Sequence, residues 1–243
     1  MARILVFQHS DIGTPGRLGL TLRDHGFRLD IRRPDRDGVE SIPPDLDNVH
    51  GVVSLGGPQS ANDADAWVAR EQAFLRAAHE AELPVVGICL GAQMIGKALG
   101  GTVSKLDEPE VGYLPISVEV PGQTDTLLAG MPWNSRVFQH HGETVSQLPE
   151  GASKLASSPA GVQVFRAGIR TIAFQFHLEA TPAIAEAIAR DPRSADLNAR
   201  AGLDADAIVA QTEEFGPRFN DIANRLCVNL ATYCFPFARL TAV

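Results

Sequence analysis

A thiol serves as a nucleophile only where it can ionise, is reachable and has a base beside it. One stretch of this sequence is built for the first two conditions. Pro84–Gly101 reads PVVGICLGAQMIGKALGG and puts Cys89 between an apolar run and a helix-forming run, in the pattern Gly87-Ile88-Cys89-Leu90-Gly91. A residue on so tight a strand-to-helix turn adopts a sparsely populated backbone conformation, and small residues two positions to either side keep the turn free of clashes. The turn holds the sulfur clear of the sheet and aims the N-terminus of the next helix at it, which favours a thiolate. The chemistry of such a thiol is attack on a carbonyl carbon. The competing reading makes Cys89 a small buried apolar residue in a glycine-rich turn. Cys227 and Cys234, seven residues apart near the C-terminus, read as packing residues.

The third condition singles out His177 among seven histidines. It ends the apolar run IAFQFH, read as a strand, and Glu179 follows two residues later. Side chains at i and i+2 of an extended segment share a side, so Glu179 is placed to orient the imidazole and stabilise its charged form. An oxyanion formed at the carbonyl needs donors. The backbone N–H of Leu90, directly after Cys89, is one; the Gly56-Gly57-Pro58 turn that ends GVVSL offers a second, since glycine admits close backbone approach. A strand-end histidine or a Gly-Gly-Pro turn is commonplace alone. Their conjunction with the elbow is what points to catalysis.

The elements that must position these groups can be read from the pattern. RILVFQ, FRLDIRR, GVVSL and PVVGI read as strands, and LGLTLRDHG and AQMIGKALG as helices. A helix capped by Asn62 or Asp63 puts Trp67, Phe74, Leu75 and Ala78 on one face. Strands alternating with helices indicate an α/β, doubly wound, mostly parallel sheet. After Gly101 short strands follow one another, which predicts an antiparallel addition to that sheet. Past Thr181 the chain turns helical. Gly216-Pro217 reads as the start of a last helix striped by Phe219, Ile222, Ala223, Leu226, Leu230 and Tyr233. The expectation is a single domain over residues 1–243, with a core at about 3–180 and a helical C-terminal extension at about 181–243.

Composition narrows the class. With 44% hydrophobic and 21% charged residues among 243, the chain reads as globular. A net charge of −8 without a basic stripe argues against nucleic acid. Apolar runs fall short of the ~18 residues a bilayer crossing takes, and the N-terminus lacks a signal's long apolar region, so a cytoplasmic location is expected. Three cysteines make no disulfide framework, and no zinc-type Cys/His spacing or phosphate-binding loop is evident.

GICLGAQ, SLGGPQS, FQHHGE and QFHLE, in that chain order, resemble the class I glutamine amidotransferases over roughly residues 3–180. The likeness is nearest to the stand-alone branch beside the amidotransferase domain of GMP synthase and the γ-glutamyl peptidases. It implies a flavodoxin-like doubly wound sheet and a cofactor-free hydrolase. Cys89 would be the nucleophile, His177 the base, Glu179 its partner, and Gly57 and Leu90 the oxyanion donors. Gly56, Gln93, His140, His141 and Gly142 would border the glutamine. Glu110 falls where the branch carries an acidic residue, a solvated loop glutamate being the plainer reading. Leu178 stands where the family commonly has proline, His140 where it often has an aromatic residue, and Glu143 where it often has Asp. The resemblance leaves open a subunit that passes ammonia to a separate synthase, a free-standing γ-glutamyl hydrolase, and a non-catalytic binding or regulatory protein. An esterase or peptidase indifferent to γ-glutamyl groups would make Gln93 and the HHGE segment coincidences. Oligomeric state and the purpose of the C-terminal helices are not legible.

Overall fold

The computed structural model describes residues 2–235, so the end of the expected C-terminal extension, 236–243, lies outside the described residues. Among the described residues nine strands form one sheet: β1 (Arg3–Phe7), β2 (Arg28–Arg32), β3 (Gly51–Ser54), β4 (Val85–Ile88), β5 (Thr102–Val118), β6 (Asn134–Gln147), β7 (Ser153–Ser158), β8 (Gly161–Ala167) and β9 (Thr171–Phe174). Their order is β2-β1-β3-β4-β9-β8-β7-β5-β6. The first five in that order pair parallel, and β8, β7, β5 and β6 continue the sheet antiparallel. The parallel half and its antiparallel addition are thus both present.

Helices α1 (Gly16–Asp24), α3 (Ala66–Glu80), α4 (Leu90–Ala98), α6 (Pro182–Arg190), α7 (Ala195–Arg200) and α8 (Ala205–Asn229) surround the sheet, with short turns α2 (Pro34–Asp37) and α5 (Val120–Gln123). The central strands are apolar on both sides because both faces are covered. Ile4, Val6, Val53, Ile172 and Phe174 join one core with Phe219, Leu226 and Leu230. Leu5, Phe7, Val52 and Ala173 join a second core with Trp67, Phe74, Leu75, Met94 and Ile95. The C-terminal extension therefore supplies much of one layer, including the long helix α8. No helix among the described residues is long and apolar enough to cross a membrane.

Three local expectations are corrected. Helix α3 begins after Asp65, not after Asn62 or Asp63. Those two side chains are used in the preceding loop: Asp63 accepts from the Ser60 N–H at 2.8 Å, and the Asn62 amide donates to the Val103 carbonyl at 3.1 Å. Gly216-Pro217 does not start the last helix, because α8 runs through it from Ala205. Proline withdraws one N–H donor there, yet Ile208 and Thr212 before it and Phe219 and Ile222 after it are buried on one stripe, which holds both halves in line. Tyr233 is 61% exposed, whereas Phe219 to Leu230 of the stripe are buried. The chain passes into a π-helical turn at Leu230–Cys234, and the wider turn rotates Tyr233 outward and Cys234 inward. Cys227 and Cys234 are buried, and burial pushes the Cys234 thiol up to about 12, in keeping with packing roles.

Pro217 is exposed within its helix, so its cost is not offset by packing of its own. Pro217→Ala is expected to stabilise the protein by about 1–3 kcal/mol and raise Tm by roughly 2–10 °C. Thermal unfolding checks this; a lower Tm would contradict the account of α8.

Candidate active site

The elbow is held by its ladder. Cys89 has φ 51° and ψ −109°, a conformation costly to a non-glycine residue by about 1–3 kcal/mol. Its N–H donates to the Phe174 carbonyl at 2.8 Å, and helix α4 starts at the next residue. The flanking glycines are sterically required. A Cβ on Gly91 would lie 2.0 Å from the Ser54 carbonyl oxygen, and one on Gly87 would lie 2.7 Å from the Gly91 carbonyl oxygen. The elbow is therefore pressed against the end of β3.

His177 arrives differently from the expected strand end. Strand β9 stops at Phe174, and His177–Ala180 forms a turn closed by the Ala180 N–H on the His177 carbonyl at 3.2 Å. The turn still brings the pair together: His177 Nδ1 donates to Glu179 Oε1 at 2.8 Å, which leaves Nε2 for the sulfur. Glu179 is held by residues with no obvious signal in the sequence. Its carbonyl accepts from the Arg17 N–H at 3.0 Å, and a Cβ on Gly16 would lie 2.2 Å from that same oxygen. The Arg17 guanidinium donates to the Ala180 carbonyl at 2.6 Å, to Asn224 at 2.8 Å and to Asn220, joining the turn to α8.

Burial alone would lower the His177 pKa, but the Glu179 carboxylate and the Cys89 sulfur outweigh it and hold the imidazole well above its ordinary value. A Cβ on Gly56 would lie 2.7 Å from His177 Cε1 and 3.5 Å from Cys89 Cβ, so only a hydrogen fits between the turn and the pair. Cys89, His177, Gly56, Gly57, Gln93, His140, His141 and Gly142 all border one cavity of about 300 Å³. Leu90 does not border it: its side chain is in the core and its place at the first turn of α4 leaves only the N–H near Cys89.

Several residues in and behind the cavity wall are held in ways the sequence did not announce. The His141 ring is held on both edges, with Nδ1 2.9 Å from the Glu143 carbonyl and Nε2 3.1 Å from both Gln139 Oε1 and Glu110 Oε2. Glu110 is not a solvated loop residue. It is buried on β5, where burial works to raise its pKa, but hydrogen bonds from His141, Ser158 and Gln163 lower it on balance. Gln93 donates to the Glu143 carbonyl at 2.8 Å, and Glu143 accepts from the Ser60 hydroxyl at 2.6 Å, closing the rim across from β3. His140 Nε2 donates to Asn198 Oδ1 at 3.0 Å, an orientation set because Asn198 Nδ2 donates to the Ala189 carbonyl. Burial, with His177 and His141 nearby, lowers the His140 pKa to about 4, so this ring is neutral. Ile188, Asp191, Arg193, Ser194, Asp196 and Leu197 form the outer wall. A Cβ on Gly142 would lie 2.8 Å from Leu197 Cδ1, so α7 packs directly over the HHGE segment.

This geometry can be set beside known proteins. The family model for Glutamine amidotransferase class-I matches residues 18–189. The chain belongs to that family. A GMP synthase [glutamine-hydrolyzing] of Porphyromonas gingivalis is 35% identical over 141 residues, 57% of this chain and 26% of that protein. One from Lactobacillus delbrueckii subsp. bulgaricus is 37% identical over 139 residues, 56% of this chain and 25% of its own length. The matched region thus spans about a quarter of these curated relatives. The crystal structure of a glutamine amido transferase from Methylobacillus flagellatus superposes with a TM-score of 0.83 at 25% identity, covering 94% of each chain. The amidotransferase family model ends at residue 189, before most of the outer wall described above.

Because Glu179 favours the imidazolium, removing its charge must let the His177 proton leave at lower pH. Glu179→Gln is expected to move the His177 titration, followed by NMR of the ring Cε1–H, to a lower pH than in the wild type. An unmoved or raised midpoint would show that Glu179 does not set the charge of this ring.

Proposed function

We propose that this chain hydrolyses the side-chain amide of glutamine through a γ-glutamyl thioester. The single observation that supports this best is the strained thiol, His177 and the Gly56-Gly57 turn converging on one cavity. Cys89 attacks the amide carbonyl carbon while His177 carries the thiol proton. The Gly57 and Leu90 N–H groups stabilise the oxyanion, since preorganised donors act most strongly in a water-poor site. His177 protonates the departing nitrogen, and ammonia leaves. Water, deprotonated by the same imidazole, then attacks the thioester, releases glutamate and restores the thiol. Gln93, the HHGE segment and Glu143 are assigned to holding the glutamyl group. Ammonia then passes to a separate synthase, as the similarity to one part of GMP synthases supports.

A second reading is supported by the outer wall. Arg193 and Asp196 stand beside the cavity, Arg193 gripping Asp191 at 2.6 and 2.9 Å. Polar groups beyond the reacting amide suit a donor with a larger leaving amine, such as a γ-glutamyl peptide. Free-standing hydrolysis of that kind needs no synthase.

The experiment is a panel of glutamine and γ-glutamyl amides, with release of ammonia or amine measured for the wild type and Cys89→Ala. Turnover by the wild type and a loss of more than about 10⁴-fold in the variant are expected. Equal rates in the two proteins, or a wild type inert on the whole panel even with a synthase supplied, would reject the proposal.

A further inference from the structure

Beneath the Gly56-Gly57 turn lies a buried imidazole–carboxylate pair that the mechanism above does not use. His9 follows β1 and Glu71 lies on α3; both are 0% exposed. His9 Nε2 is 2.9 Å and 3.1 Å from the two Glu71 oxygens, and Nδ1 is 2.9 Å from the Leu55 carbonyl oxygen. Both ring nitrogens face acceptors, so both carry protons. Burial opposes that charge, but Glu71 and the Leu55 carbonyl more than offset it. Ser54 donates to Glu71 at 2.7 Å, and Trp67 stacks on the ring with centroids 5.5 Å apart. Stability alone does not account for the pair, since apolar groups of similar volume commonly serve a core as well or better.

What the pair holds is the Leu55 carbonyl. That oxygen accepts from His9 Nδ1 and also from the Gly91 N–H at 3.1 Å. Leu55 immediately precedes Gly56-Gly57, and Gly91 immediately follows Leu90. One carbonyl therefore joins the segment bearing one oxyanion donor to the segment bearing the other. The joint has no slack: a Cβ on Gly57 would lie 2.6 Å from His9 Cβ. Gln59 on the far side of the turn donates back to the His9 carbonyl at 3.1 Å.

We propose that His9 and Glu71 are positioning residues that fix the spacing of the Gly57 and Leu90 N–H donors by holding the Leu55 carbonyl against the Gly91 N–H. The inference rests on the amide-hydrolase reading, and its effect lies on the oxyanion rather than on substrate binding or on the thiol. Loss of a whole oxyanion donor costs about 10²–10³-fold, and displacement of donors by a fraction of an ångström costs less.

The test uses two charge-neutral double variants that differ in one contact. In His9→Gln/Glu71→Gln the residue-9 amide nitrogen takes the place of Nε2 and the donor to Leu55 is lost. In His9→Asn/Glu71→Gln it takes the place of Nδ1 and that donor is kept. The first is expected to lower kcat about 10–100-fold at unchanged KM, and the second to recover at least roughly fivefold of that loss. Alkylation of Cys89 by iodoacetamide, which forms no oxyanion, should stay within about threefold of wild type in both. Equal kcat in the two variants, or a parallel fall in turnover and alkylation, overturns the proposal. Should either variant fail to fold by circular dichroism, Ser54→Ala loosens Glu71 alone; a fall in kcat of about two- to fivefold with KM and alkylation unchanged supports the proposal, and an unchanged kcat overturns it. If the wild type itself hydrolyses no amide, the underlying reading fails and the inference with it. That result is distinct from an active wild type with equally active variants.

Discussion

Two stretches of backbone, the end of β3 and the elbow between β4 and α4, approach more closely here than any side chain would allow. The Ser54 carbonyl lies where a Gly91 Cβ would be, and the Gly56 Cα faces Cys89 and His177 with no room for a methyl group. That approach permits a thiol, an imidazole and the Gly56-Gly57 turn to border one small cavity. It also costs energy, because Cys89 is held at positive φ. The offset comes from the parallel ladder: the Cys89 N–H is bonded to Phe174, and the strands beneath are buried on both faces. A strained turn persists only when its surroundings over-determine it, and here the sheet does so.

Three histidines in and around the site show how partners decide the state of one side-chain type. His177 faces a carboxylate and a sulfur and is driven toward the imidazolium. His9 faces a carboxylate and a carbonyl and is likewise raised. His140 has the neutral Asn198 amide as its side-chain hydrogen-bond partner, and burial, with His177 and His141 nearby, leaves it uncharged. The positive charges thus stand where a carboxylate backs them, and the ring beside the cavity without such backing stays neutral. Charge in the low-dielectric interior is tolerated only with a close opposite partner.

The C-terminal extension joins these parts to the rest of the molecule. Helix α8 completes the core on one face of the sheet and, through Asn220 and Asn224, holds the Arg17 side chain that grips the Glu179 turn. Helix α7 packs over Gly142 and supplies Asn198 to His140. A segment with no legible role in the sequence is therefore both a structural layer and a wall of the cavity.

What the sequence determined by itself was local. The G-x-C-x-G pattern between a strand and a helix announces an elbow, because the demands that make it are made by residues within five positions. His177 and Glu179 were legible as a pair because two residues is a distance a turn or a strand can both bridge, although the structure uses a turn. The alternation of strands and helices, and the later run of strands, were legible in the same way. What needed the tertiary structure was everything joined across the chain: His9 to Glu71, Gly16 and Arg17 to Glu179, Glu110 to His141, and α7 to the HHGE segment. Even Pro217 and Tyr233 misled locally, since packing on both sides carried α8 through the proline and a π turn rotated the tyrosine outward. Short-range patterns record backbone geometry. Which distant polar groups meet depends on sheet order and helix placement, and no spacing along the chain encodes those.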